Sequence, residues 1–327
     1  PVNRTFVNKT HFVVYTRSLL VEQTTPAPIA ISDAAWSVSE VAFLDRDLDD
    51  DQLGGVVTWD EPLEVDLVTH YAVYLSVSAT GTNRSQIGLH TQPANSTVLD
   101  INHDQDVHNY AVVYTKSSLV EQTTPAYLEI TDIVSSVTGI VFPDKDLDVA
   151  ELGGEISWTP PSGGDSSDTA QVTHYSVYIA EDAAGTSRSQ IHLDVPFGTN
   201  LLNLPPEKAL ENYTHLTVFT KSPFHQQSTP VALLIHDTIE SVDVVEFMDK
   251  DLDYDELGGN VTWSHLGDLT HTTHYAVYFA SDPGWNAARS RIQPDVPANE
   301  FAEIFVDPDT KPPLSELHYA AVFASSS

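Results

Sequence analysis

Carboxylates crowd this sequence at three places. Asp45, Asp47 and Asp49 form one set, Asp144, Asp146 and Asp148 a second, and Asp249, Asp251 and Asp253 a third. In an extended segment, residues two apart point the same way, so each set puts three like charges on one face. Such crowding is costly unless a cation sits among them. An all-oxygen ligand set suits Ca2+, and suits Mg2+ less well because Mg2+ demands stricter geometry. Cation binding, with Ca2+ as the candidate, is thus the chemistry expected of these nine residues. An EF-hand is excluded, since that loop needs Gly at its sixth position and Glu at its twelfth. Here the sixth is Asp50, Val149 or Tyr254 and the twelfth Val56, Glu155 or Asn260, so no set has both. The same spacing also suits a solvated loop whose aspartates cap turns, and both readings stay open.

A second acidic position recurs at Asp33, Asp132 and Asp237, a few residues before each next repeat. It could share a cation with the acidic sets or serve simple turn chemistry, which the spacing favours. Six Asn-x-Ser/Thr sequons, at Asn3, Asn8, Asn83, Asn95, Asn212 and Asn260, are candidate N-glycosylation sites. Asn8 and Asn212 occupy the same place in the repeat. Asn260 stands three residues from Trp263, so it should face solvent if Trp263 faces the core. His70, His174 and His274 occur once per repeat, and no pair has ligand spacing within a strand. Arg84, Arg188 and Arg289 are rare cations expected to pair with carboxylates or to contact a neighbour. No GxSxG, HExxH or phosphate-cradling glycine loop is present, so no catalytic residue is expected and the chain is not read as an enzyme.

These residues lie in a chain that repeats itself. Asp45–Trp59 reads DRDLDDDQLGGVVTW, Asp144–Trp158 reads DKDLDVAELGGEISW and Asp249–Trp263 reads DKDLDYDELGGNVTW. Blocks VTHYAVY, RSQI and YTKSSLVEQTTP recur in the same order with small changes. Residues 37–135 and 136–240 are complete repeats. Residues 1–36 hold only the last two strands of one, and residues 241–327 lack the last strand. In 136–240 the alternation predicts seven strands, at 139–142, 154–158, 174–179, 189–193, 200–204, 215–220 and 231–235. Seven short strands broken by Gly and Pro turns predict an all-β fold of tandem antiparallel sandwiches. Trp59, Trp158 and Trp263 are expected to anchor the cores.

The Trp158-Thr159-Pro160-Pro161 run, the Tyr175–Tyr178 run and the Thr-Pro between the sixth and seventh strands resemble fibronectin type III modules, a branch of the immunoglobulin-like sandwiches. The other two repeats depart from this, since Asp60 and Ser264 follow their tryptophans. The DxDLDxxxLGG, THYxVY and RSQI blocks are in addition similar to long repetitive cell-surface proteins of dinoflagellates and related protists. The first resemblance implies a fold. The second implies a secreted or cell-surface protein and no chemistry.

Composition agrees with such a protein. With 47 acidic and 14 basic residues the formal charge is −33, which repels nucleic acid and anionic lipid and attracts cations. Cysteine is absent, so the modules must hold by their cores alone. No apolar run reaches the ~18 residues of a membrane span. The expectation is an extracellular structural protein: glycosylated, calcium-stiffened modules stacked head to tail, with copies of itself as partners, in a fibre or coat. The alternative is an adhesin or receptor ectodomain, for which Trp285 is the one candidate contact. The incomplete outer repeats suggest a longer chain. They also suit strand donation between copies, against which the duplicated sixth strand argues.

Overall fold

The computed structural model describes residues 9–33, 35–161, 169–266, 269–283, 288–298, 302–312 and 318–326. Asn3, Asn8 and Trp285 lie outside them. The chain forms two units: Pro1–Leu44 with Gly55–Leu99 and Gln105–Thr131, and Asp45–Gly54 with Asp100–Asp104 and Asp132–Ser327. The first acidic loop therefore belongs to the second unit.

Strands follow the alternation in every repeat. Residues 1–36 give a hairpin of β1 (His11–Val14) and β2 (Ala27–Ala30), paired antiparallel. Residues 37–135 give β3 (Ser39–Asp45), β4 (Gln52–Asp60), β5 (His70–Ser76), β6 (Ser85–Thr91), β7 (Ser96–Asp104), β8 (Tyr110–Lys116) and β9 (Ala126–Glu129). They form one sheet ordered β3-β4-β7 and another ordered β6-β5-β8-β9. Residues 136–240 repeat the plan with β10 (Thr138–Val141), β11 (Glu151–Thr159), β12 (His174–Ala180), β13 (Ser189–Gln190), β14 (Val195–Pro196), β15 (Leu201–Ala209), β16 (His215–Lys221) and β17 (Val231–Leu234). Here the predicted fourth strand is two short pieces, β13 and β14, each pairing with β12. Residues 241–327 give β18 (Ser241–Phe247), β19 (Leu257–Leu266), β20 (Thr272–Ala280), β21 (Arg289–Arg291), β22 (Val296–Pro297), β23 (Glu303–Thr310) and β24 (Tyr319–Ser326). The modules are thus antiparallel β-sandwiches of the fibronectin type III-like kind, a three-stranded sheet against one of four strands, or of five in residues 136–240.

Each core is built on the expected tryptophan. Trp59, Trp158 and Trp263 are all buried. Each ring packs on the tyrosine of the THY block, Tyr71, Tyr175 or Tyr275, at 5.6, 5.3 and 5.3 Å between centroids. Aromatic pairs at this distance add to area burial.

The double glycine of each LGG block has a local reason. Gly55, Gly154 and Gly259 have φ of +148°, +134° and +145°, and a Cβ would stand 2.6–2.8 Å from the carbonyl oxygen of Leu44, Pro143 or Met248. Only glycine lets the strand after the acidic loop press so closely on the strand before it. At that point β11 also shifts register on β15 between Leu152 and Gly154, and β19 does the same on β23 between Leu257 and Gly259. The loop is thereby gathered over the end of the sandwich.

Among the described residues no strand pairs with the outer edge of β24, where β17 covers β16 in the module before. Its side chains are half-buried, whereas Leu216–Thr220 of β16 are fully buried. A cavity of about 790 Å³ opens beside it, lined by Phe247, Val261, Phe279 and Tyr319 among others.

Replacing Trp158 by Ala should destabilise its unit by about 3–5 kcal/mol, the usual cost of deleting a buried ring. Urea unfolding followed by circular dichroism measures it, and a change under 1 kcal/mol would show that the indole does not anchor the core.

Candidate functional site: the acidic loops and the joint they form

Each acidic loop is held by carboxylates that accept backbone N–H groups. Asp47 N–H donates to Asp45 Oδ1 at 3.2 Å and Asp49 N–H to Asp47 Oδ1 at 3.0 Å. The same steps recur at Asp144, Asp146 and Asp148 (3.2 and 3.1 Å) and at Asp249, Asp251 and Asp253 (3.0 and 3.0 Å). Alternate aspartates thus cap each other's backbone, a chain of Asx turns. Longer reaches pin the loop down. Asp45, Asp144 and Asp249 accept from Gly54, Gly153 and Gly258 at 2.9, 2.9 and 3.0 Å, closing the loop at its base. Asp47, Asp146 and Asp251 accept from Asn102, Glu207 and Asp309 at 2.7, 2.7 and 2.8 Å. Those three donors have φ of +59°, +67° and +62°.

The first aspartate also reaches the junction. Asp45 Oδ2 accepts from Ile133 N–H, and Asp144 Oδ2 from Thr238 N–H, both at 3.0 Å. In return the junction aspartates reach the loop: Asp132 Oδ2 accepts from Asp51 N–H and Asp237 Oδ2 from Ala150 N–H, both at 2.9 Å. Asp51 and Ala150 are left-handed, at φ +60° and +63°. Asp132 and Asp237 therefore hold the loop from more than 80 residues away in the chain, not within a local turn.

The third aspartate differs between loops, and this makes the joint. Leu48 is 2% exposed and sits in the hydrophobic cluster of residues 136–240 with Ile133 and Val137. Asp49, 1% exposed, accepts from Ser228 N–H at 2.6 Å and Thr229 N–H at 2.8 Å. Leu48 carbonyl accepts from Gln227 Nε2 at 3.0 Å and Ser135 N–H at 3.1 Å. Ser222 Oγ donates to Arg46 carbonyl at 3.0 Å, and the Arg46 guanidinium lies 4.1 Å from the Phe224 ring centre. The loop tip is a plug, and the turn between β16 and β17 is its socket.

The second loop repeats part of this. Ser326 Oγ donates to Lys145 carbonyl at 2.6 Å and Glu240 N–H to Leu147 carbonyl at 3.3 Å. Leu147 is only half-buried and Asp148 is exposed. The third loop has nothing over it among the described residues, and Leu252 is 96% exposed.

The carboxylates that could share a cation are grouped differently from the spacing. Asp146 and Asp148 come together with Glu151, and Asp251 and Asp253 with Glu256 and Asp309. Asp144 and Asp249 stand apart at the loop bases. Asp45, Asp47 and Asp49 do not converge, and their neighbours Asp50 and Asp51 meet Asp132. The added ligand positions are Glu151 and Glu256, with Glu207 and Asp309 beside them. In the plugged loop the same positions hold the amides Gln52 and Asn102. Glu151 is raised by desolvation and by Glu207, and Asp309 by the charges of Glu256 and Asp251. Lys311 meets Glu256 at 2.9 Å.

Asn83, Asn95, Asn212 and Asn260 are exposed, and Asn260 Nδ2 donates to Glu303 at 3.2 Å. Of the repeat histidines, His70 and His174 are half-buried and His274 is exposed. Arg84 pairs with Glu121 at 2.7 Å as anticipated. Its guanidinium also lies 4.3 Å from both the Tyr74 and Tyr114 rings, and Arg188 and Arg289 sit likewise over Tyr178 and Phe219, and over Tyr278 and Phe323. These arginines are cation–π clamps on the aromatic pairs. The socket residues were not singled out from sequence, although the Gln-x-Thr-Pro block that contains them was visible as a repeat.

The strand order in each complete repeat defines tandem fibronectin type III-like sandwiches. No protein-family model matches the chain, and no curated protein matches it. Among solved structures it is similar to the crystal structure of chicken CNTN1 FN1-FN3 domains, at 12% identity over 90% of this chain and 100% of that one, with a TM-score of 0.27. The sandwich class rests on the strand order above and not on that superposition. No helix among the described residues is long and apolar enough to cross a membrane.

Two buried carboxyls set opposite pH dependences. Burial pushes Asp45 up to about 7, against three backbone N–H groups that pull it down. Burial would also raise Glu240, but N–H groups of His271 and Thr272 and the Thr272 hydroxyl outweigh it and hold it below its usual range. A raised carboxyl adds stability below its unfolded value near 3.8 and loses it as pH rises to about 7. A depressed one adds stability above its unfolded value of 4.5 and loses it as pH falls through its folded value. Asp45→Asn should therefore gain stability relative to wild type between pH 4 and pH 7, in thermal melts at matched ionic strength. A constant difference across that range would count against the burial argument.

Proposed function

We propose that this chain is a stretch of an extracellular structural protein in which sandwich modules are locked end to end by their acidic loops. The reading is carried by one observation: Leu48 and Asp49, from the repeat 37–135, are buried among core and backbone groups of 136–240. A flexible linker would leave a loop tip in water. A joint fixed by an inserted leucine and the four hydrogen bonds from Ser222, Gln227, Ser228 and Thr229 suits a load-bearing or spacing role. The exposed sequons Asn83, Asn95, Asn212 and Asn260 support a glycosylated, extracellular setting.

Ca2+ stiffening is part of this proposal, and it is assigned to the two regrouped sites. Asp146 and Asp148 with Glu151, and Asp251 and Asp253 with Glu256 and Asp309, offer the all-oxygen set that a hard cation takes. Binding would neutralise part of the −33 charge where it is densest. The partners proposed are copies of the same protein in a fibre or coat.

Negative-stain imaging of the native protein tests the array. Filaments or a regular coat are expected, and isolated particles would overturn it. Calcium titration with a melt in chelator tests the cation. Ca2+ at 100 times its Kd should stabilise by about 2.7 kcal/mol, and an unchanged melt would remove calcium from the proposal. Intact mass of the native protein should exceed the polypeptide mass by whole glycans.

A further inference from the structure

One sequon stands apart from the others in its place in the fold. Asn83, Asn95 and Asn212 lie in turns or loops, whereas Asn260 lies inside β19. Val261 and Trp263 are buried in the core, so parity turns Asn260 and Thr262 outward. β23 pairs antiparallel with β19, and sets Phe305 directly opposite Asn260 and Glu303 opposite Thr262. Side chains paired in this way share a face, with Cβ atoms about 4.5–5.5 Å apart. Asn260 Nδ2 donates to Glu303 Oε2 at 3.2 Å, which leans the amide toward β23.

The surroundings of that amide are apolar and open. Phe305 is 57% exposed on one side. On the other, Met248 follows Phe247, the partner of Val261, and is 73% exposed. Exposure at the place of Phe305 belongs to the fold. Its counterpart in residues 37–135, Val98, is 66% exposed, and Asn203 in residues 136–240 is exposed as well. What distinguishes residues 241–327 is the pair. Glu155 opposes Asn203 and Asn260 opposes Phe305, while the first complete repeat has Val56 and Val98 at these positions. The sequon and the exposed ring thus occur together. Beyond the ring a groove of about 280 Å³ runs over Gly258 and Gly259 to Pro308.

We propose that Asn260 carries an N-linked glycan whose proximal N-acetylglucosamine is seated on the Phe305 ring. This rests on the glycosylated, extracellular setting proposed above and specifies what the glycan does at one site. The sugar is delivered as a lipid-linked glycosyl diphosphate. The Nδ2–C1 bond forms, the C1–O bond breaks, the diphosphate leaves and Nδ2 gives up one of its two protons. The hydrogen that remains on Nδ2 still serves Glu303. A pyranose presents a face of C–H groups, and the negative face of an aromatic ring attracts them. The seated sugar covers apolar surface that no protein group covers among the described residues. Since β23 is an edge of its sheet, a sugar over Phe305 also shields that edge from pairing with another strand.

Glycopeptide mapping of the native protein, and of the whole 327-residue chain secreted from a glycosylating eukaryotic host, should find N-acetylglucosamine on Asn260. Thr262→Val removes the sequon and leaves Asn260 in place. In the glycosylated chain it should lower the melting temperature by about 2–4 °C, the shift that one aromatic contact produces in a unit of this size. In the Phe305→Ser background the same substitution should shift it by less than about 1 °C. Chain made in bacteria carries no glycan and should show no such dependence on Phe305. Thr262 and Phe305 point away from the core, so unchanged circular dichroism shows that the fold is intact. Bare Asn260 beside occupied Asn83, Asn95 or Asn212 overturns the proposal and leaves the glycosylated setting standing. Four bare sequons overturn both. A glycan on Asn260 whose loss shifts the melt equally with and without Phe305 overturns the seat.

Discussion

A carboxylate that accepts backbone N–H groups is the interaction on which the rest of this structure depends. Aspartate is short, so its oxygens reach the N–H two residues on, and a run with aspartate at every second position folds on itself without other help. Each such acceptor removes the desolvation cost of a peptide N–H, and the donors in turn stabilise the charge. The loop becomes stiff enough to carry a leucine outward and present it. Without the Asx turns, Leu48 would be a hydrophobic residue on a mobile tip. With them it is part of the core of residues 136–240.

The rest follows from where the second oxygens go. Those of Asp47, Asp146 and Asp251 hold a left-handed residue in the strand that returns beside the loop, so the loop and the sheet cannot move independently. Those of Asp45 and Asp144 hold the junction, and the junction aspartates Asp132 and Asp237 hold the loop in return. This reciprocity ties each loop to the junction segment through bonds of 2.9–3.0 Å in partly buried surroundings. Neither glycine of the LGG block is free to vary in this arrangement, because the backbone of the preceding strand already fills the space of a Cβ at the second.

Charge and joint are therefore two aspects of one design. The aspartates that give the chain much of its negative charge are spent largely on peptide N–H groups. In the second and third loops, where the third aspartate accepts from no Ser-Thr pair among the described residues, it groups with the second aspartate and with Glu151 or Glu256. In the plugged loop, amides replace the extra acids: Gln52 and Asn102 stand where Glu151 and Glu256, and Glu207 and Asp309, stand elsewhere. The plugged loop gathers carboxylates too, but at Asp50, Asp51 and Asp132 instead.

The sequence by itself determined the modules. Period-two alternation placed the strands, because a side chain's face in a strand depends only on local parity. The repeat placed the three tryptophans in equivalent cores. Its limits were small: one predicted strand is two pieces, β13 and β14, and the strand after Asn200 runs on to Ala209 because Asp146 clamps its bulge. What an aspartate does was not legible in the same way. Spacing put Asp45, Asp47 and Asp49 on one face, but the backbone turns at each of them, so the carboxylates point to N–H groups up to 180 residues away in the chain. Only the tertiary structure brings Ser228 and Thr229 to Asp49, because their N–H groups stand about 180 residues on in the chain, and the turn that gathers Glu151 with Asp146 and Asp148 is set by backbone bonds that period-two alternation does not show.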